Sequence, residues 1–159
     1  MIKLNYVEIL TGLIKEGYDP STDDNYAIRL SSDYGRLEVV KLLLQDPRVD
    51  PSAGGNYPIQ VASKNGHSEV VNLLLQDSRV YPGADDNDPI QHASKNGHLE
   101  VVKLLLQDPR VNPSACGNYA IKMASENGHL EVVKLLLQDS RVKNSLTNED
   151  LIEYQKQIS

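Results

Sequence analysis

The stretch NGHLEVVKLLLQDPRV, Asn96 to Val111, decides the fold because it is said four times. It recurs as NGHSEVVNLLLQDSRV at Asn65–Val80, as NGHLEVVKLLLQDSRV at Asn127–Val142, and as YGRLEVVKLLLQDPRV from Tyr34. Each copy begins 31 residues after the one before it. A fixed period of this size is the signature of stacked supersecondary units, and it outranks any single-residue motif.

Outward from that stretch, each copy is preceded by a second shared segment: NYAIRLSS from Asn25, NYPIQVAS from Asn56, NDPIQHAS from Asn87 and NYAIKMAS from Asn118. Within a unit the signals read helix, turn, helix, connector. In the second unit Pro58 suits the first turn of a helix, where a missing N–H costs nothing. Ile59, Ala62 and Ser63 share one face. Asn65-Gly66 ends that helix, because glycine accepts the positive φ a helix end asks for. Ser68-Glu69 starts the second helix with an acid near its positive pole. Val70, Val71, Leu73, Leu74 and Leu75 make this helix apolar round most of its circumference, so it must be covered on several sides. DSRVYP, from Asp77, then leaves as an extended connector, and Gly, Asp and Asn residues fill the tip before the next unit. One unit alone cannot bury such a helix; neighbours must do it.

The ends read as caps. Residues 6–16 align with the second half of a unit, Ile9, Leu13 and Pro20 falling in register with Val40, Leu44 and Pro51. Thr147 and Asp150 predict an N-cap pair, with Leu146 and Leu151 at staple spacing. A last helix over 148–157 should turn Leu151, Ile152 and Tyr154 inward. The chain thus divides into an N-terminal capping half-repeat (1–24), full repeats at 25–55, 56–86, 87–117 and 118–147, and a C-terminal capping helix (148–159), all one domain, 1–159.

DPIQHASKNGHLEVVKLLLQ, from Asp88, resembles the ankyrin repeat, whose pattern runs Thr-Pro-Leu-His-x-Ala-Ala-x-x-Gly-His-Leu-Glu-Val-Val-x-Leu-Leu-Leu. The resemblance spans residues 25–142. It implies an all-α, ankyrin-like solenoid of stacked helix-turn-helix repeats whose tips and inner helices line a concave, partner-gripping face. Three departures stand out. The period of 31 is shorter than the family's roughly 33 residues, so the hairpin should be short or irregular. The family Thr is replaced by Tyr26, Tyr57, Asp88 or Tyr119, and the family His by Arg29, Gln60, Gln91 or Lys122. Asp88 is then expected to cap its helix, and the preceding Asn to do so in the Tyr units.

Composition narrows the function. The net charge of −6 weighs against nucleic acid and anionic membranes, which reward excess Lys and Arg. One cysteine, Cys116, cannot form an internal disulfide and fits a reducing compartment. No apolar run reaches the roughly 18 residues of a membrane helix. A soluble, cytoplasmic monomer is expected. His67, His98 and His129 recur with the period, but adjacent helices pack about 8–10 Å apart, too far for equivalent histidines to share one zinc ion. Each should instead hydrogen-bond locally beside its Gly turn. His92 falls where Leu30, Val61 and Met123 stand and should be packed with a partner. Asp46/Arg48, Asp77/Arg79, Asp108/Arg110 and Asp139/Arg141 read as a structural ion-pair ladder. No phosphate loop or nucleophile motif occurs, so no enzyme, metal or cofactor is expected.

Where the units differ, a function could be written. The differing positions with an expected partner-binding role are Asp24, Gly54, Asp85, Asp86 and Cys116 at the tips, and Tyr26, Tyr57, Asp88 and Tyr119 at the head of the first helix. Asp33, Tyr34, Lys64, Asn65, Lys95, Asn96 and Glu126 stand at its end. The expectation is a non-catalytic scaffold or adaptor that binds an unidentified protein. The alternative is a structural spacer with no dedicated ligand.

Overall fold

The computed structural model describes residues 6–159; the first five residues of the expected capping half-repeat lie outside it. Eleven helices follow one another among the described residues, with no strand. The first is α1 (Tyr6–Lys15). Four inner helices follow with the period of the sequence: α2 (Thr22–Asp33), α4 (Ala53–Lys64), α6 (Ala84–Lys95) and α8 (Ala115–Glu126). Between them run the outer helices α3 (Leu37–Leu44), α5 (Ser68–Leu75), α7 (Leu99–Gln107) and α9 (Leu130–Gln138). Each inner helix packs on the next inner helix and on its own outer one, and α1 packs on α3 as an outer helix would.

The core is the continuous seam between these layers. Ile28, Ile59, Ile90 and Ile121 of the inner helices meet Leu43, Leu74, Leu105 and Leu136 of the outer ones, all fully buried. The valine pairs Val70/Val71, Val101/Val102 and Val132/Val133 of the outer helices belong to the same buried cluster. Ala62, Ala93 and Ala124, also fully buried, let the inner helices approach closely. Ser32, Ser63 and Ser94 are equally buried, and their hydroxyls have no hydrogen-bond partner among the described residues. Smallness accounts for them.

The connectors are not hairpins. Before each inner helix proper, three consecutive residues take the left-handed conformation: Asp23-Asp24-Asn25, Gly54-Gly55-Asn56, Asp85-Asp86-Asn87 and Cys116-Gly117-Asn118. One full left-handed turn is costly for residues with a Cβ, and only Gly, Asn and Asp adopt it readily. That explains the Gly, Asn and Asp of the tips; Cys116, at φ 53°, is the one exception. The expected caps are absent, for neither Asp88 nor the preceding Asn side chain caps its helix. The asparagines instead pin the following connector: Oδ1 of Asn25, Asn56 and Asn87 accepts from the backbone N–H of Asp50, Tyr81 and Asn112 at 2.6–2.7 Å. The left-handed turn is closed from the other side. Arg29, Gln60 and Gln91, in the slot of the family His, donate back to the carbonyls of Asp24, Gly55 and Asp86.

The C-terminal end follows the expectation with two changes. The last connector folds into a short helix, α10 (Ser140–Ser145), capped by the Asp139 side chain. Thr147 and Asp150 then form a reciprocal capping box at the head of α11 (Asn148–Gln157). Tyr154 is buried and Leu151 half-buried, but Ile152 is 52% exposed, because α11 meets the stack through the one face that buries Tyr154. No helix among the described residues is long and apolar enough to cross a membrane.

Candidate functional site

The inner helices carry the candidate residues on two edges, separated by the eight or so right-handed residues of each helix, about 12 Å at 1.5 Å per residue. On the leading edge stand the left-handed tips and the heads of the helices. Tyr26, Tyr57 and Tyr119 are solvent-exposed there, with the half-buried Asp88 in the same row. Asp24, Gly54, Asp85, Asp86 and Cys116 are exposed just before them.

Neighbouring units touch along this edge. Asp24 holds Arg29 at 2.8 Å, and the Arg29 guanidinium sits 5.4 Å from the ring centre of Tyr57 in the next unit. Gln60 reaches the carboxylate of Asp85, one unit further on, at 2.8 Å. Tyr57 is thereby held by a cation while 40% of its surface stays open. The third and fourth units are not joined in this way, and Lys122, which takes the Arg29 position in the fourth, is exposed. Asp88 lies 3.7 Å from His92. His92 is therefore not packed inside as its register suggested: its side chain keeps 39% of its surface, because the neighbouring helix leaves this position at the margin of the seam.

The trailing edge is occupied by repeat-to-repeat stitching. Asn65 donates to the carbonyl and carboxylate of Asp33, and Asn96 to the carbonyl of Lys64. Nε2 of His67, His98 and His129 lies 2.9 Å from the carbonyls of Asp33, Lys64 and Lys95. A carbonyl only accepts, so Nε2 carries the proton and donates. These histidines bond not within their own turn but to the last residues of the preceding inner helix. Their rings lie on Gly35, Gly66 and Gly97, where a Cβ would come within 2.6 Å. Asp33 and the backbones of Lys64 and Lys95 thus belong to the scaffold, whereas Tyr34, the Lys64 and Lys95 side chains and Glu126 extend outward from it. Among the described residues no group of His, Cys, Asp and Glu could hold a metal ion.

The connector arginines complete the stitching. Arg79, Arg110 and Arg141 each grip the aspartate two residues earlier with two guanidinium nitrogens. They also donate to the carbonyls of Val49, Val80 and Val111 of the preceding unit at 2.8–2.9 Å. These hydrogen bonds hold the carboxyls of Asp77, Asp108 and Asp139 below their ordinary value. The same grip by Arg48 draws Asp46 from 3.8 down to about 2. Arg79, Arg110 and Arg141 are therefore each engaged on both sides of a unit boundary, whereas Arg48 grips Asp46 alone at hydrogen-bond distance.

Two-layer stacking with one helix pair per period now stands beside the shared Gly-His-x-Glu-Val-Val-x-Leu-Leu-Leu segment. The pattern describing ankyrin repeats, in three copies, matches residues 1–86 and 78–148. The chain is an ankyrin-repeat protein. No curated protein matches it. Ankyrin repeats generally serve as protein–protein interaction modules and are typically non-enzymatic. In this ankyrin stack the Thr and His of the usual pattern are replaced, and their work passes to the asparagine pins and to Arg29, Gln60 and Gln91. Sequence reading missed these roles, although the asparagine that opens every unit was the signal: an unvaried polar residue before varied neighbours has a structural partner.

Proposed function

We propose that this chain is a non-catalytic scaffold or adaptor that holds a partner protein on the leading edge of its inner helices. The reading is supported chiefly by one observation: Tyr26, Tyr57 and Tyr119 stand exposed in register on neighbouring helices, flanked by tips whose residues differ from unit to unit. Tyrosine suits such a surface, being large, fairly rigid and able to hydrogen-bond from its rim. Asp24, Asp85, Asp86 and Asp88 make the edge acidic, which favours a partner segment bearing Lys or Arg.

The trailing residues Tyr34, Lys64, Lys95 and Glu126 would flank the partner rather than anchor it. The test is recovery of cross-linked partners from the native host with the wild type and with Tyr57→Ala/Tyr119→Ala, both checked by circular dichroism. A partner that is recovered equally well with the folded double variant would sink this reading. So would the absence of any saturable partner, the outcome that a plain spacer predicts.

A further inference from the structure

We infer that the cleft between α8 and α11 is a binding site for the guanidinium of an arginine side chain presented by a polypeptide partner. The cleft has a volume of about 340 Å³ and is lined by Lys122 and Glu126 of α8 and by Asp150, Glu153 and Tyr154 of α11. α11 packs on α8 less closely than the inner helices pack on one another, and the cleft is the space this leaves. The slot of Lys122 also differs here. In the first three units its counterparts Arg29, Gln60 and Gln91 donate back to the left-handed turn. Lys122 makes no hydrogen bond or ion pair among the described residues.

Three carboxylates face that single ammonium. Glu126 and Glu153 are exposed and have no partner among the described residues. Asp150 is held in place by its cap: Oδ2 accepts from the backbone N–H and the hydroxyl of Thr147 at 3.2 and 2.6 Å, while Oδ1 stays unengaged. Acidic groups alone would be a solvated edge; Tyr154 makes this a site. It keeps only 9% of its surface, yet its hydroxyl is not sealed in the protein and bonds to no described residue. A buried hydroxyl is normally hydrogen-bonded. Burial, and then the charges of Asp150, Glu153 and Glu126, push this phenol above its ordinary 10.0, so it keeps its proton and its oxygen lies within the field of all three carboxylates.

The acceptors are spread over two helices, which suits the five N–H donors of a planar guanidinium better than a compact ammonium. A carboxylate takes such a fork with two parallel hydrogen bonds. A metal ion is the poorer occupant, since no group of described residues could hold one. The cleft reaches the exposed Gly117, two residues before Tyr119 of the leading edge. The arginine is thus assigned to the basic segment proposed for that edge, and for this source the inference rests on the proposed function.

The probe is Nα-acetyl-arginine amide, titrated onto the 159-residue protein and followed by amide chemical shifts and by the Tyr154 ring carbon Cζ. Saturable shifts at Gly117, Lys122, Glu126, Glu153 and Tyr154 are expected, and the bound cation should draw the Tyr154 phenol back toward its ordinary value. Glu126→Gln/Glu153→Gln should weaken binding at least about tenfold, and Tyr154→Phe about three- to tenfold. Lys122→Met should tighten it by removing a competing cation, and Tyr57→Ala should leave it unchanged. The citrulline analogue, alike in shape but uncharged, should not saturate. Equal shifts from that analogue or from magnesium ion alone would overturn the inference. So would wild-type affinity in Tyr154→Phe, or tighter binding of free agmatine than of the capped arginine, since a small molecule would then be the ligand. Failure of the capped arginine leaves Tyr57 and Tyr119 untouched, and loss of the leading-edge reading leaves the cleft's affinity for it unchanged, so the two fail separately.

Discussion

Asp23, Asp24, Asp85 and Asp86 hold positive φ between 47° and 57° without the freedom of glycine. The second unit meets the same demand with Gly54 and Gly55. Asp85 gains a compensating bond from Gln60, whereas only the backbone carbonyl of Asp86 is engaged by Gln91. Asp86→Gly should therefore raise stability by about 0.5–1 kcal/mol, measured by urea unfolding. A loss of stability would show that the aspartate is not strained. The Asp, Asn and Gly at the tips announced a turn from the sequence alone. That the turn was three left-handed residues was hidden, because these same residues also build ordinary hairpins.

Helix by helix, the reading from periodicity held where burial set the pattern. The inner and outer helices, the Gly66-type ends and the Thr147–Asp150 cap all fall where spacing put them. It failed where one polar side chain had several partners to choose from, and at the margins of the stack where register does not set burial. His67 bonds across to the preceding helix, His92 sits at a margin, and Ile152 turns outward, none of which spacing can distinguish. The connector arginines were legible as ion pairs but not as bridges. Arg110 grips Asp108 and also donates to the carbonyls of Val80 and Leu75. Arg110→Ala leaves those carbonyls and one carboxylate short of a partner, so a loss of about 2 kcal/mol is expected. Among the described residues Arg48 has no carbonyl partner in a preceding unit, so Arg48→Ala should cost clearly less. Equal losses in denaturant titration would mean the bridging bonds add nothing.

For the molecule as a whole, four lowered carboxyls of one kind fix an acid limit. Asp46, Asp77, Asp108 and Asp139 are each held down chiefly by the side-chain hydrogen bond of the neighbouring arginine. A carboxyl lowered in the folded state stabilises above its ordinary 3.8 and loses that contribution as pH falls toward about 2, the value Asp46 reaches. The melting temperature should fall across that window, and Asp77→Asn/Asp108→Asn/Asp139→Asn should flatten the fall while lowering stability at neutral pH. An unchanged slope in the triple variant would place the acid sensitivity elsewhere. The edge proposed to bind a partner was the least legible part of this scale, because variation among four copies marks where function could lie without naming what it holds.

The near-identical interfaces between units also make the molecule a mechanical chain of equal links. Each unit is held to the next by the same set of contacts, one histidine bond and one arginine bridge, while an asparagine pin closes each unit on itself. Under tension such links have nearly equal strength, so they yield singly rather than all together. Each yielding frees one period of 31 residues, roughly 100 Å of extended chain, and relaxation lets it fold back against an intact neighbour. A protein so built can lengthen by steps and recover, with each remaining unit serving as the template for the one it lost.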